Sequence, residues 1–458
     1  MKNELAVSDM ESFIYGCAPR PVTCGNGLVI GSGRVVPELN FTLPAMDLNQ
    51  QTWPVAVREY EDMIQHVVKR AETLHAPDLL VEFETLPPMT IHPEWGLEIT
   101  RLLADRLKQV ADRCGMRTAL RLTPNDTREF ERPPLMRRGG YWESMLSFFE
   151  QAGAAGADLL SIESTGGKEV CDDALVNADL RGVVFALGVL GCRDMKFLWE
   201  NIVQCCEGTG VLPAGDSACG FANTAMVLAD KQMIPALFAA VVRVVSVPRA
   251  LVAFTAGAVG PSKDCAYEGP YMKALAGVPI SMEGKSAACA HLSPVGNISQ
   301  AVCDCWSNES VQNVQLLSGK APTVSMEQLI YDCRLMNTAR ASSEADAHRL
   351  RDWLVESDSA LDPQAYVLRP DVVLRISEKL VAAPNPYAQT RLAAQCAVEE
   401  LRAGYEQGAV RISDRDAPWI DMMAMALEDI PETEEELIDA IRPEINPEIC
   451  DLREYGIQ

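Results

Sequence analysis

Short apolar runs alternate with longer stretches of helical spacing through the middle of the chain. Asp78–Glu84 (DLLVEFE) is an apolar run between two prolines and predicts a buried strand. Pro93–Cys114 places its leucines on one side of a helix, and Gly115 ends it. The same reasoning predicts strands at residues 117–122, 158–163, 210–214, 250–254 and 278–282. Helices are predicted between them at residues 141–152, 169–190, 195–206, 221–230, 233–245 and 270–276.

Strands that alternate with helices indicate βαβ units and a parallel sheet. The glycine motifs of nucleotide-binding folds are incomplete. Gly31-Ser-Gly33 lacks its third glycine, and Pro279 stands where a phosphate loop ending at Gly284-Lys285 needs its first. We therefore expect an α/β fold, a (β/α)8 TIM barrel over residues 76–320.

The two ends of the chain lack the alternation of predicted strands and helices seen in the middle part. Residues 1–75 are expected to form an irregular N-terminal wrap that ends in a helix at 55–74. Residues 321–458 contain no further strand pattern and predict a C-terminal helical region, with helices at 325–337, 341–356, 371–381 and 387–404.

Charge and composition exclude several partners. The chain has 458 residues and a formal net charge of −24. Such an acidic protein is a poor ligand for phosphate backbones and for anionic membranes, so neither nucleic acid nor membrane is an expected partner. The longest apolar stretch, residues 233–256, contains Arg243 and Arg249, which argues against a membrane span.

Cysteine is frequent and histidine scarce, with 15 Cys against 5 His. The N-terminus shows no basic segment followed by an apolar one, so we expect a reducing, cytoplasmic setting. There, most cysteines are buried hydrophobes. Cys205, Cys206, Cys303 and Cys305 lie in stretches that read as helical, and core packing is the expectation for them.

Three residues combine metal-binding chemistry with the position that barrel active sites use, directly after a strand. Glu163 ends the strand at 158–163, Cys219 follows the strand at 210–214, and Cys265 lies in the glycine-rich loop after residues 250–254. Two thiolates and one carboxylate suit Zn²⁺, and three protein ligands leave a fourth position open, as in catalytic zinc sites. A free cysteine is more often a core residue than a ligand, and no compact spacing motif joins these three residues. Cys219 and Cys265, however, each lie in a glycine-rich loop rather than in an apolar period.

Other polar groups carry weaker signals. Glu82, Glu84, Glu283 and Lys285 stand near predicted strand ends, where each could orient a substrate or form a rim ion pair. His66, His75, His92 and His348 read as surface or capping residues, and His291 as a hydrogen-bonded structural residue or an acid–base group.

Long motifs around these loops resemble those of the methanol:corrinoid methyltransferase family, the zinc-containing methanol-activating subunit of methanogens and acetogens. They are SIESTGGKE, GDSACGFANTAMVLAD, GAVGPSKDCAYEGPY and ISMEGKSAACAHLSPVGNIS, followed by WSNESVQN and APTVSMEQLIYDCRLMNTA. The resemblance runs from about Gly25 into the C-terminal helices and is densest between residues 155 and 340.

The resemblance implies a ligand set, a reaction and partners. The zinc ligands of the family fall on Glu163 in SIEST, Cys219 in SACGFAN and Cys265 in KDCAYEG. Zinc would act as a Lewis acid on the oxygen of methanol, and Co(I) of a corrinoid on a separate small protein would accept the methyl group. A homodimer that binds two corrinoid proteins is also implied.

Three alternatives remain open from the sequence. A related zinc- and corrinoid-dependent enzyme could use another small methyl donor, although such enzymes usually have zinc motifs richer in His and Cys. A non-catalytic barrel could serve as a scaffold for a corrinoid protein, but it would have no use for an open zinc position. A zinc hydrolase would need a general base near the metal, and no histidine is placed for that role.

Overall fold

A computed structural model describes residues 4–43, 46–285, 294–311, 315–316 and 319–458. Its strands are β1 Cys17–Cys24, β2 Leu28–Ser32, β3 Val36–Thr42, β4 Asp78–Glu84, β5 Arg117–Thr123, β6 Leu159–Ile162, β7 Leu212–Asp216, β8 Ser281–Glu283, β9 Cys305–Val311, β10 Gln315–Leu316 and β11 Gly319–Lys320.

Helices follow most strands. In the first 320 residues they span Trp53–Thr73, Pro87–Ile91, Pro93–Cys114, Gly140–Gln151, Lys168–Val176, Leu180–Phe185, Cys192–Cys206, Cys219–Asp230, Ala236–Val245, Val247–Ala256, Gly269–Ala276 and Gly296–Gln300, with a π-helix at Ala186–Gly191 and a 3-10 turn at Arg128–Phe130. The C-terminal region contains Ala321–Ser342, Glu344–Asp358, Pro363–Tyr366, Pro370–Leu380, Pro386–Glu406, Trp419–Glu428 and Glu434–Ile441, with 3-10 turns at Arg442–Glu444 and Leu452–Tyr455.

Seven strands form one parallel sheet in the order β7-β6-β5-β4-β3-β9-β8. The space between its two edges is bridged by the irregular segment 259–262. Val259 and Gly260 donate to the carbonyls of Pro213 and Ala214 at 2.8 Å on one side. On the other side, Ser262 donates to the carbonyl of Pro279 at 3.3 Å. This segment therefore takes the eighth position, and the predicted (β/α)8 barrel is confirmed.

The sheet starts earlier in the chain than the sequence indicated. β3 pairs with β4 on one side and with β9 on the other, and β1 pairs with β2, so the expectation that the chain is irregular before its first helix is wrong for all three strands. Pro37, Glu38 and Asn40 interrupt the apolar pattern of β3, and Glu38 and Asn40 are buried. The regional limits at residues 75 and 320 remain predictions.

The predicted strand at 250–254 is also wrong, because these residues lie in the helix Val247–Ala256. A short, fully apolar run fits a buried strand and a buried helix equally well. Together with the preceding helix it forms the apolar stretch Ala236–Ala256, which by length and composition could cross a membrane. Within its most apolar window of 18 residues, 94% of the residues are buried in the protein, as expected of a core helix.

The last strand of the sheet, β9, was not predicted. Cys305 is its first residue, which contradicts the helical interpretation of this stretch, while Cys303 precedes it in a non-helical segment. Both cysteines are fully buried, in agreement with core packing. Ser307 and Asn308 make the strand read as polar, yet both are buried.

One end of the barrel is closed by the antiparallel hairpin β1–β2. Leu28 and Ile30 of the hairpin are fully buried and belong to one apolar cluster with Val36, Leu80 and Leu159, which lie at or near the starts of their strands. This end is therefore filled with apolar side chains, and polar groups gather at the opposite, carboxyl end of the strands.

Candidate metal and substrate site

The three predicted ligands lie at the carboxyl ends of neighbouring barrel positions. Glu163 directly follows β6 and forms an isolated parallel bridge with Asn125, which lies just beyond β5. Cys219 is the first residue of the helix after β7. Cys265 follows the segment that fills the eighth position, so its loop starts from the barrel wall even though the predicted strand before it is a helix.

These side chains converge on one point. One ligand atom each of Glu163, Cys219 and Cys265 lies within 4.8 Å of the other two. The Cys265 thiol donates to Oε1 of Glu163 at 2.8 Å. Both cysteines are buried, whereas the Glu163 side chain is 29% exposed, so the cluster is open on one side.

The donor set fits zinc. Thiolate sulfur and carboxylate oxygen are both zinc ligands, and a set of three leaves room for a water or a substrate in a fourth position. Metal binding by these residues stays a prediction here, and their chemistry and proximity favour it.

A buried ammonium group lies against the cluster. Nζ of Lys263 is 3.1 Å from Oε1 of Glu163, 3.3 Å from Oε1 of Glu82 and 3.5 Å from Oε2 of Glu84. It also bonds Asp264 and lies 3.9 Å from Sγ of Cys265. The Lys263 side chain is 1% exposed, so its charge is balanced by the Glu163 and Asp264 carboxylates rather than by water.

This packing shifts the ionisation of the site. Burial opposes ionisation of Glu163, but the Lys263 charge and the two thiol hydrogen bonds outweigh it and lower the pKa of Glu163. Burial raises the pKa of Cys265 well above its usual range. A hydrogen bond with Cys265 lowers the pKa of Cys219, but burial and the Glu163 carboxylate outweigh it, so this pKa is raised as well. The metal-free site therefore favours a carboxylate beside two thiols.

Glu82 and Glu84, two of the polar residues predicted near strand ends, are connected to the site by their contacts with Lys263. Thr123 donates to Oε1 of Glu82 at 2.5 Å, and Asn40 donates to Oε2 of Glu84 at 3.1 Å. Burial raises the pKa of Glu84 to about 8. These carboxyl groups thus contribute to an acidic cluster beneath the three donors.

Of the other two polar residues predicted near strand ends, Glu283 lies next to the cluster and Lys285 does not. A carboxylate oxygen of Glu283 lies within 4.8 Å of ligand atoms of Asp264 and Cys265, and Tyr267 donates to it at 2.8 Å. The Lys285 side chain is half exposed and lies 4.0 Å from Asp332, so it takes part in a rim contact rather than in this cluster.

Among the residues that the structure describes, no histidine belongs to this cluster. His66 and His92 lie beside acidic side chains on the surface, and Nε2 of His348 contacts the carbonyl of Glu11 at 2.9 Å. His75 is a surface residue with a left-handed backbone, φ 55°. His291 lies outside the described residues.

Lys263 and Asp264 were not singled out from the sequence. The available signal was their position directly before Cys265, in a glycine-rich loop at a barrel mouth. A lysine there usually reads as solvated, because lysine is rarely buried unless it is paired. Its partners Glu82, Glu84 and Glu163 are more than 90 residues away in the sequence, so no local pattern reveals the pairing.

Comparisons with known proteins identify the family of this chain. The chain matches a family model described as the methanol–cobalamin methyltransferase B subunit over residues 1–456. A methanol–corrinoid protein co-methyltransferase of Methanosarcina barkeri (strain Fusaro / DSM 804) is 38% identical over 408 residues, which is 87% of this chain and 87% of that protein.

A solved structure gives the same result. The crystal structure of the methanol:cobalamin methyltransferase complex MtaBC from Methanosarcina barkeri contains a chain that superposes with a TM-score of 0.93 at 34% identity. The match covers 99% of both chains. The family resemblance seen in the motifs is thereby confirmed, and this chain belongs to the family of methanol–cobalamin methyltransferase B subunits.

Proposed function

We propose that this chain transfers the methyl group of methanol to Co(I) of a corrinoid held by a separate protein, with Zn²⁺ bound by Glu163, Cys219 and Cys265. The observation that carries the zinc assignment is the convergence of these three side chains within 4.8 Å at the carboxyl end of the barrel. Family membership supports the methyl transfer itself.

Methanol is a poor methyl donor because hydroxide is a poor leaving group. In the balanced methyl-transfer reaction, methanol, Co(I) and one proton give methyl–Co(III) and water. Zinc held by the three residues would supply Lewis acidity toward the oxygen of methanol.

The chain's own residues prepare the site. Lys263 and the Cys265 thiol both contact Oε1 of Glu163, so the carboxylate is oriented before a metal arrives. Asp264 is buried, which places its charge where water screens it little. The hairpin β1–β2 fills the other end of the barrel, so methanol and the corrinoid must enter from the carboxyl end.

The test is incubation of zinc-loaded protein with methanol and free cob(I)alamin. We expect methylcobalamin to appear in the absorption spectrum, with about one zinc per chain. Cys219→Ala should lose both the zinc and the product. Cys396→Ala, which removes an equally buried cysteine from the helix Pro386–Glu406, should keep both.

Two outcomes would contradict the proposal. Product formation from methylamine or a methylthiol, but not from methanol, would indicate the alternative methyl donors. A metal-free protein that binds a corrinoid protein without forming product would indicate a scaffold.

We also propose the assembly that the resemblance implies, a homodimer that binds two corrinoid proteins as a heterotetramer. Light scattering of the isolated protein should give twice the 50.0 kDa chain mass. Addition of the corrinoid protein should then raise the mass by two partner chains, and saturation at one partner per dimer would contradict the proposed stoichiometry.

The cytoplasm is the proposed location. Among the described residues the cysteines are free of disulfides. Thiolate ligands require a reducing compartment, because oxidation would remove them from the metal.

A further inference from the structure

One buried guanidinium joins the two loops that carry Glu163 and Cys219. Arg249 lies in the helix Val247–Ala256 and is fully buried. Its Nη2 donates to the carbonyl oxygen of Ser164 at 2.7 Å and to the Ser164 hydroxyl at 2.5 Å. Ser164 is the residue directly after Glu163.

The other terminal nitrogen reaches the second loop. Nη1 of Arg249 lies 3.5 Å from the carbonyl oxygen of Ser217 and 3.7 Å from Oδ1 of Asp216. Ser217 in turn accepts a hydrogen bond from the backbone N–H of Cys219 at 3.0 Å. The guanidinium is therefore one contact away from the backbone of each ligand.

Asp216 strengthens the same connection. Its Oδ1 accepts from the N–H of Ser217 at 2.7 Å and from the N–H of Ser164 at 3.3 Å. Its Oδ2 accepts from Nε1 of Trp199 at 3.1 Å. Arg249 and Asp216 together thus hold both loops through buried, charge-assisted contacts, which are stronger than neutral ones.

The surrounding structure leaves space for this side chain. Gly191 ends the π-helix Ala186–Gly191, and a Cβ at that position would lie 3.0 Å from Cδ of Arg249. On another side, the guanidinium carbon lies 4.7 Å from the centre of the Phe221 ring. π-helical turns are frequent at functional sites, and here the turn ends at the residue that leaves room for the arginine.

We propose that Arg249 is a positioning residue of the metal site. It contacts neither the metal nor the substrate, and it fixes the separation of the loops after β6 and β7 so that Glu163 and Cys219 converge on one ion. This inference rests on the proposed function, because it concerns binding of the proposed zinc ion.

Two variants test the proposal from different directions. Arg249→Lys keeps the charge but has one ammonium in place of a planar fork, so it can serve only one loop. Gly191→Ala keeps Arg249 and displaces its side chain by the added methyl group.

Arg351→Lys and Gly140→Ala are the matched controls. Arg351 is a buried arginine that donates to the carbonyl of Phe13 at 3.3 Å, and a Cβ at Gly140 would meet no atom within 4 Å.

The readouts are zinc affinity, measured by competition with a chromophoric chelator, and the absorption spectrum of the Co²⁺-substituted protein. We expect Arg249→Lys to bind zinc 10–100-fold more weakly, the range typical of lost outer-shell partners, with an altered Co²⁺ spectrum. Gly191→Ala should change both readouts in the same direction, and the two controls should match the parent protein.

Zinc affinities within twofold of the parent in both test variants, with an unchanged Co²⁺ spectrum, would overturn the proposal. If Arg249→Lys fails to fold, Gly191→Ala alone decides, because it retains every charged group. A parent protein that binds no zinc would instead contradict the proposed function, so the two failures are distinguishable.

Discussion

The Lys263 ammonium and the Glu163 carboxylate form an ion pair at 3.1 Å, and the same carboxylate oxygen accepts a hydrogen bond from the Cys265 thiol. A cation thus contacts the proposed ligand before any metal does. The same ammonium also contacts Glu82, Glu84 and Asp264, so it joins four carboxyl groups beneath the open side of the proposed metal site.

Loss of this ammonium should be costly to the fold. Lys263→Met leaves the carboxylates of Glu163 and Asp264 without their shared cation, and breaking a buried pair such as Lys263–Asp264 costs about 3–5 kcal/mol. We expect a large drop in the urea midpoint of the metal-free protein. Lys379→Met removes an exposed partner of Glu399 and should cost no more than about 1 kcal/mol. Equal, small effects in both variants would contradict this assignment.

The negative charge of Glu163 should matter more than its shape. Glu163→Gln keeps the size of the side chain but replaces an anionic ligand with a neutral amide. Zinc affinity should fall by more than the 10–100-fold typical of an outer-shell change, as measured by chelator competition. Glu454→Gln alters a buried carboxylate that pairs with Arg138 away from the cluster, and it should bind zinc like the parent.

Zinc should stabilise the folded chain against heat. A ligand that binds only the native state adds about 2.7 kcal/mol when its free concentration is 100 times Kd. We therefore expect zinc to raise the Tm of the parent and of Cys396→Ala, with no increase for Cys265→Ala. A similar increase in Cys265→Ala would place the metal elsewhere.

The buried carboxyl group of Glu268 should make the stability of the folded chain depend on pH. Burial raises its pKa to about 7, although the N–H of Ala218 donates to Oε1 at 2.9 Å and opposes the shift. A carboxyl group with a raised pKa favours the folded state only while it is protonated. Its contribution is therefore present below the unfolded pKa of about 4.5 and is lost as pH rises through 7.

Glu268→Gln should remove this dependence. At pH 8 we expect the variant to exceed the parent in unfolding free energy by about 3 kcal/mol, and near pH 4.5 the two should be alike. Chemical denaturation at both pH values measures the difference. A variant that is less stable than the parent at pH 8 would show that the ionised carboxylate is needed there.

The sequence predicted the elements whose side chains follow a clear period. Asp78–Glu84 and Pro93–Cys114 match the structure residue for residue, because one is an apolar run between prolines and the other an amphipathic helix ended by Gly115, φ 73°. β3 and β9 were missed because Glu38 and Ser307 are buried polar residues that interrupt the apolar pattern. Strands of this kind are recognisable only once their partners are known.

The site residues likewise include some that the sequence predicted and others that it did not. Glu163 and Cys219 were found because each combines ligand chemistry with a position after a predicted strand. Cys265 was found from its glycine-rich loop, although the strand predicted before it is a helix. Lys263 and Arg249 were not, since their roles depend on partners far away in the sequence. Ser164, for example, is 85 residues from Arg249. Long-range pairs of this kind follow from the three-dimensional arrangement and leave no local signal.

Zinc titration of the metal-depleted protein, with methanol and cob(I)alamin present, tests the central claim most directly. The account predicts that the rate of methylcobalamin formation rises with added zinc and reaches its plateau at one zinc per chain, with no such rise in Glu163→Gln. Full activity in the metal-depleted parent, or an equal response in Glu163→Gln, would contradict it.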